Sequence, residues 1–219
     1  MPPTYIAFDI ETAKILPQQV QDLKSHRPLG ITCAATLAGS DDAPRLWHGR
    51  TDDQAPAGRM SGDEAEELVD FLAESVRNGA TILTWNGLGF DFDILAEESG
   101  MLEECRRLAL GHVDMMFHAF CELGYPIALD RAAQGMRLAG KSSDVASHMA
   151  PRLWAEGKTD DVLEYVSQDV RATLELSQAC AQQGVLRWVA RSGSVRDMKL
   201  PSGWLTVEAA LRLPEPDTS

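Results

Sequence analysis

The sequence lacks an apolar run long enough to cross a bilayer. Its longest uncharged, apolar-rich stretch covers residues 31–38, whereas a transmembrane helix needs about 20 such residues. Residues 1–4 lack the basic start of a signal peptide, and Asp9 interrupts the first apolar run. We therefore expect no membrane association.

Paired cysteines are also missing. The chain has four cysteines, with no CxxC pair and no histidine at metal-ligand spacing. They are Cys33, Cys105, Cys121 and Cys180. Free, buried thiols are typical of a reducing compartment, so we expect a cytoplasmic protein.

Basic residues are scarce, because 20 Lys and Arg face 33 Asp and Glu, a net charge of −13. This charge excludes a non-specific nucleic-acid coat protein, which would be basic. It does not exclude a nuclease, because metal-binding acids contribute to the excess and bound cations would invert the local field. One basic segment, residues 187–199, contains only Asp197 as a counter-charge. We interpret it as a solvated patch, in preference to a surface that grips a nucleic-acid strand.

The order of predicted elements indicates an α/β fold with one core in a chain of 219 residues. Strands are predicted at residues 4–10, 31–38, 45–48 and 81–85. Helices are predicted at residues 63–77, 91–98 and 102–109. A further helix follows a short strand edge at residues 112–114 and ends at residue 123, and a long helix runs from about residue 159 to 184. Ser61 and Glu64 form a possible capping box, and Gly140 is a predicted break. A central mixed sheet with an antiparallel hairpin, flanked by helices, follows from this order.

The first chemically informative motif is FDIET, residues 8–12, at the end of the first predicted strand. Side chains two apart in a strand point the same way, so Asp9 and Glu11 share a face. Two acids after four apolar residues need a counter-charge, and hard cations such as Mg²⁺ or Mn²⁺ prefer oxygen ligands. A solvated strand end is the alternative interpretation.

The second motif, NGLGFD, follows the strand at 81–85. Its Asp91 falls at the start of a predicted helix, where the helix dipole favours a carboxylate whatever its function. Asn86 and Gly87 are ordinary turn residues.

The third motif is YVSQD, residues 165–169, in the long predicted helix. Tyr165 and Asp169 are four residues apart and therefore neighbour each other on one helix face. The acid can bind metal while the phenol, neutral near pH 7, hydrogen-bonds an attacking water. A spacing of this kind arises easily by chance, so the motif acquires weight only beside the other two.

Together, and in this order, the three motifs resemble the DEDD exonuclease superfamily, and the tyrosine resembles its DEDDy branch, which includes the proofreading domain of family B DNA polymerases. The resemblance implies an RNase H-like fold and a 3′→5′ exonuclease that uses two Mg²⁺ or Mn²⁺ ions. The implied substrate is a nucleic acid with a free 3′ end, single-stranded DNA favoured and RNA possible, and the products are nucleoside 5′-monophosphates. Its protein partners are left open.

The resemblance also implies residue roles. Asp9, Glu11 and Asp169 correspond to ligands of the first metal, with Asp9 bridging to the second and Asp91 holding that ion directly or through water. Tyr165 positions the nucleophilic water. The positions matching contacts to the terminal nucleotide are Thr12, Asn86 and Phe90. Residues 1–190 are assigned to the exonuclease domain, and residues 191–219 to a tail that contains proline and glycine and packs on the domain or is partly flexible.

Two other interpretations compete with the nuclease. A haloacid-dehalogenase-like phosphatase also has an apolar strand that ends in Asp-x-x-Thr, but it needs an aspartate where Glu11 stands and leaves Tyr165 and Asp169 unexplained. A non-catalytic nucleic-acid-binding or scaffold domain of the same fold is the other alternative. Such a domain has no reason to tolerate four clustered acids.

Overall fold

The computed structural model describes residues 4–17, 22–138 and 147–216. The predicted break at Gly140 lies outside these residues. The strands are β1 (Thr4–Thr12), β2 (Ile31–Ala38), β3 (Arg45–His48), β4 (Ala80–Thr84), β5 (Val113–Asp114), β6 (Val185–Val189) and β7 (Val195–Lys199). The helices are α1 (Gly62–Arg77), α2 (Asp91–Ser99), α3 (Leu102–Gly111), α4 (Met115–Leu123), α5 (Leu129–Met136), α6 (Ala150–Ala155), α7 (Thr159–Gln183) and α8 (Val207–Ala210). Short 3₁₀-helices lie at Leu23–His26 and Ser147–Met149.

The central sheet has the strand order β3-β2-β1-β4-β5. Strands β1, β2 and β3 pair antiparallel, whereas β4 runs parallel to both β1 and β5. The predicted mixed sheet with its antiparallel hairpin is therefore confirmed. Strand β1 lies in the middle, where neighbours on both sides fix its register.

Strand β1 separates two hydrophobic clusters by the alternation of its side chains. Ile6, Phe8 and Ile10 pack into the cluster formed with α1, α2 and α3, and Ala7 packs into the cluster formed with α4 to α7. Because side chains two apart share a face, Asp9 and Glu11 lie on the Ala7 side. The long helix α7 covers that side, and its Val166 and Val170 belong to the same cluster as Ala7.

The start of α1 confirms the predicted capping box. The Ser61 hydroxyl accepts a hydrogen bond from the Glu64 N–H, and the Glu64 carboxylate accepts one from the Ser61 N–H at 2.7 Å. Two helix-end N–H groups are satisfied in this way, so the local sequence determines where α1 begins.

The cysteines are free in the folded chain. Cys33, Cys105 and Cys180 are buried, as expected, whereas Cys121 is only half-buried. Among the described helices, none combines the length and the apolar character that crossing a membrane requires.

A C-terminal hairpin was not among the predicted elements. Strand β6 pairs antiparallel with β7, and the predicted boundary at residue 191 falls in the turn between them. The hairpin packs against α5 at Gly135, where an added Cβ would lie 2.3 Å from the Trp188 Cα. The backbones of α5 and β6 are therefore in direct contact, which fixes the hairpin on the sheet domain.

This close approach predicts that Gly135→Ala destabilises the protein. The added methyl group cannot be accommodated without moving β6, and overpacking of this kind costs about 1–3 kcal/mol. Thermal unfolding would measure the loss. Gly111→Ala at the end of α3 is the matched control, because a Cβ added there would meet nothing within 4 Å. Equal melting temperatures for the two variants would contradict the tight contact.

Candidate active site

The carboxyl end of β1 carries two acids on one face. Asp9 pairs with Ala35 and Glu11 with Cys33 across the β1–β2 ladder, so the small side chains of β2 lie beside the acids. Glu11 is buried and Asp9 is half-buried. The strand therefore holds two carboxylates at fixed positions below α7.

Helix α7 supplies the third acid and the phenol. Tyr165 and Asp169 are both buried, with Asp169 only 8% exposed. Their separation of one helical turn places them on the face that packs over β1 and β2, as the spacing predicted. The helix thus brings a hydroxyl group and a carboxylate to the end of β1.

The acids of β1 and α7 form one cluster. Asp9, Glu11 and Asp169 each offer a carboxylate oxygen, and these atoms all lie within 4.8 Å of one another. At that separation two carboxylates repel by about 3 kcal/mol or more when the effective dielectric constant is about 20. All the donors are oxygens, which suits Mg²⁺ or Mn²⁺ better than a softer metal. The donor set therefore fits a hard divalent cation.

Asp91 lies beside this cluster in a different setting. It is the first residue of α2, and its Oδ1 accepts a hydrogen bond of 3.0 Å from the Ile10 N–H. Pairing of β1 with β4 ends at Ala7, so this N–H lies beyond the parallel ladder. The pKa of Asp91 is raised to about 7, mainly by burial; the Ile10 hydrogen bond opposes this shift, and the Asp114 and Asp169 carboxylates add to it.

The loop between β4 and α2 is held by Asp114, which none of the three motifs contains. Its carboxylate accepts hydrogen bonds of 3.0 Å from the N–H groups of Asn86, Leu88 and Phe117. Asn86 has a positive φ of 76°, a backbone conformation that asparagine adopts more readily than most residues. The loop shape thus depends on a buried acid from the next strand. The only local signal for Asp114 was its position as a helix N-cap.

All eight residues predicted for the site line a single cleft of about 730 Å³. They are Asp9, Glu11, Thr12, Asn86, Phe90, Asp91, Tyr165 and Asp169. The structure therefore brings the three sequence motifs together, with three of the acids in one cluster and Asp91 next to it. The roles assigned to the individual residues remain predictions.

Residues 46–181 match the RNase_H_2 family of the RNase_H superfamily. The chain belongs to this superfamily. No curated protein matches the chain. This family assignment agrees with the central mixed sheet and argues against the interpretation as a dehalogenase-like phosphatase.

Among solved structures, the RNase_H-like chain is similar to the family B DNA polymerase from the hyperthermophilic archaeon Pyrobaculum calidifontis. The similarity has a TM-score of 0.59 and 23% sequence identity, and it covers 83% of this chain. It covers only 25% of the polymerase chain, so the two proteins share a domain-sized fold. This similarity shows a shared fold, and membership of the RNase_H superfamily supports a nuclease-type function.

The cleft also contains residues that the motifs did not identify. Thr173 lies one turn after Asp169 on the same face of α7, and helical spacing could have found it. Lys14, His148 and Arg152 also line the cleft, and no motif marks them. His148 is exposed.

Cys33 lies beneath the acids and does not serve as a nucleophile. Burial raises the pKa of its thiol, and the Glu11 and Asp9 carboxylates raise it further. The thiol therefore stays protonated at neutral pH, and a thiolate is the form that attacks.

The raised pKa of Asp91 predicts how the stability of the metal-free protein depends on pH. Between its ordinary range and about pH 7, the unfolded chain ionises Asp91 while the folded chain keeps it protonated. The folded state then binds more protons, so stability falls as the pH rises towards 7. We expect Asp91→Asn, measured with a chelator present, to flatten this fall in melting temperature.

For a chain of this length, 1 kcal/mol corresponds to about 2–4 °C in melting temperature. Asp70→Asn, at an exposed acid of α1, is the control and should keep the wild-type pH profile. A wild-type slope in Asp91→Asn would contradict the raised pKa.

Proposed function

We propose that this protein is a 3′→5′ exonuclease that uses two divalent cations, Mg²⁺ or Mn²⁺, to remove nucleotides from a nucleic-acid strand. One observation carries the proposal: the oxygens of Asp9, Glu11 and Asp169 come within 4.8 Å of one another in a cleft that Tyr165 and Asp91 also line. Three distant parts of the sequence supply these groups.

The carboxylates would hold the two cations. Asp9, Glu11 and Asp169 would bind the first, Asp9 would reach the second, and Asp91 would hold that ion directly or through water. When bound, the cations neutralise the acids, activate the attacking water and stabilise the leaving oxygen of the phosphodiester. The raised pKa of Asp91 is consistent with a carboxyl group whose ionised form a bound cation would stabilise.

Tyr165 would orient the attacking water. The phenol is buried at the edge of the cleft, one turn before Asp169, and so lies close to the proposed scissile phosphate. A neutral hydroxyl group accepts and donates hydrogen bonds without adding charge to a crowded site. Holding the water in line with the phosphorus atom reduces the entropy cost of attack.

The shape of the cleft supports action at a strand end. A volume of about 730 Å³ is in the range of small-molecule sites, which suits one or two terminal nucleotides better than a continuous duplex. Thr12, Asn86 and Phe90 lie around the acids and would contact the terminal sugar and base. The preferred substrate would be single-stranded DNA, with RNA as a second possibility, and the products would be nucleoside 5′-monophosphates.

Asp169→Asn should lower Mg²⁺-dependent hydrolysis by more than about 100-fold, because loss of even an outer-shell partner costs about 10–100-fold at metal sites. The assay would follow a 5′-labelled single strand and resolve a ladder that shortens from the 3′ end. Glu175→Gln, at an exposed acid of the same helix, is the control and should keep full activity.

Internal fragments released before the ladder would indicate an endonuclease. Undiminished hydrolysis by Asp169→Asn would refute the proposed site. Binding of a strand without any hydrolysis by the wild-type protein would favour the non-catalytic alternative.

Tyr165→Phe should slow turnover about 10- to 100-fold while leaving the protein able to bind the cations, because misplacement of a reacting group costs about that much. Mn²⁺ titration by calorimetry would measure binding, and single-turnover hydrolysis would measure the chemical step. Tyr5→Phe removes a phenol oxygen from the other end of β1 and is the matched control. An unchanged single-turnover rate in Tyr165→Phe would remove the phenol from the mechanism.

A further inference from the structure

One packed unit of this acidic chain carries a net positive charge. Residues 129–137 and 185–199, which form α5 and the β6–β7 hairpin, contain six basic residues and two acidic ones. The whole chain contains 20 basic and 33 acidic residues, so the remainder has 14 basic and 31 acidic ones. The unit therefore carries a net charge of about +4 on a molecule whose overall charge has the opposite sign.

Three of these arginines lie together at the tip of the hairpin. Arg131 of α5 donates a hydrogen bond of 3.2 Å to the carbonyl oxygen of Val189, the last residue of β6. Arg191 follows Val189 in the turn, and Arg196 neighbours Val195, the residue that pairs with Val189. All three side chains are exposed. Within residues 4–17, 22–138 and 147–216, none of the three forms an ion pair with a carboxylate.

An exposed aromatic ring lies beside these arginines. Tyr125 is 45% exposed and packs edge-on against Trp188, with ring centroids 6.4 Å apart. Trp188 is buried and pairs with Arg196 across the hairpin. The buried indole thus holds a solvent-facing phenol next to the basic tip. We call Tyr125, Arg131, Arg191 and Arg196 the basic hairpin surface.

Residues 124–129 connect the basic hairpin surface to the cleft. Leu129, the first residue of α5, lines the cleft. Trp85 also lines it, and the Trp85 Nε1–H donates a hydrogen bond of 3.1 Å to the Ile127 carbonyl oxygen. The loop of residues 124–128 therefore lies between the acidic cleft and the basic hairpin surface. A strand leaving the cleft on this side meets Tyr125 and the three arginines next.

We propose that the basic hairpin surface binds the single-stranded part of the substrate on the 5′ side of the nucleotides held in the cleft, an inference that rests on the proposed exonuclease function. The guanidinium groups contact backbone phosphates, since arginine forms bidentate hydrogen bonds with phosphate oxygens. One base stacks on Tyr125, which binds any sequence because every base has a π-face. The surface thus supplies affinity that the acidic cleft lacks, and makes activity depend on strand length.

The test compares two double variants that remove the same charge. Arg191→Gln/Arg196→Gln alters the basic hairpin surface, and Arg77→Gln/Arg106→Gln alters exposed arginines of α1 and α3, on the other face of the sheet. Both are made in the Asp169→Asn background, so that the strand survives, and binding of a labelled single strand of about 20 nucleotides is measured by fluorescence anisotropy.

Each phosphate contact on a single strand contributes about 0.7 to the slope of log affinity against log salt. Loss of two contacts lowers this slope by about 1.4. Between about 50 and 200 mM salt, the affinity of the parent for the strand should therefore fall about sevenfold more than the affinity of the hairpin variant. The control variant should keep the parent slope. In the active background, the hairpin variant should raise KM for the long strand but not for a dinucleotide.

The proposed strand-binding surface would be refuted if the hairpin variant kept the salt slope of the parent. It would also be refuted if the salt slope of the control variant fell by the same amount. Should the double variant fold poorly, Arg191→Gln alone, in the exposed turn, must still lower the slope by about 0.7. Failure of the exonuclease proposal would be recognised separately, because Asp169→Asn would then hydrolyse the strand as fast as wild type. The salt slope would still decide whether the surface binds nucleic acid.

Discussion

Repulsion among the carboxylates of Asp9, Glu11 and Asp169 is the constraint on which the site depends. The carboxylate oxygens of these residues lie within 4.8 Å of one another, and Glu11 and Asp169 are buried. The free energy of the folded state therefore rises with each carboxyl group that ionises. The fold holds them there because β1 is the central strand and α7 is packed along it by a continuous apolar face. The carboxylates cannot relax apart without disturbing the core. Divalent cations would therefore find a site already assembled, and their charge would offset the repulsion between these carboxylates.

The position of this cluster follows from the unequal lengths of β1 and β4. Ladder pairing between them ends at Ala7, and β1 continues to Thr12. In parallel arrangements, ligands bind outside the carboxyl ends of the strands, where backbone groups and helix N-termini are free. The Ile10 N–H is such a group, and it donates a hydrogen bond to Oδ1 of Asp91 at the start of α2. Burial, rather than a single neighbouring charge, is the main cause of the raised pKa of Asp91. The strand offset thus explains how Asp91 reaches the backbone of β1.

The sequence was informative wherever the determining interaction is local. Strand periodicity placed Asp9 and Glu11 on one face, helical spacing paired Tyr165 with Asp169, and the Ser61 capping box marked the start of α1. Asp114 could not be found in this way, because it acts on Asn86 and Leu88, which are 28 and 26 residues away. The β6–β7 hairpin escaped prediction for a related reason. Its buried side is completed by α5, and the contact that makes this possible, Gly135 against the Trp188 backbone, joins residues 53 apart. The proline and glycine residues after Arg191 led to the prediction of a tail instead.

A chain with a net charge of −13 meets a difficulty when its substrate is a polyanion. Screening resolves part of it, since the Debye length is about 8 Å at physiological ionic strength and distant acids contribute little. On the proposed function, a bound strand would experience the local field, which would be negative at the cleft without cations and positive at the hairpin tip. A basic surface next to an acidic cleft therefore separates two tasks. Arg131, Arg191 and Arg196 would retain the strand, while the carboxylates would act on its end. On this proposal, most of the charge that retains the strand would lie on α5 and the hairpin, at a distance from the carboxylates that would bind the cations.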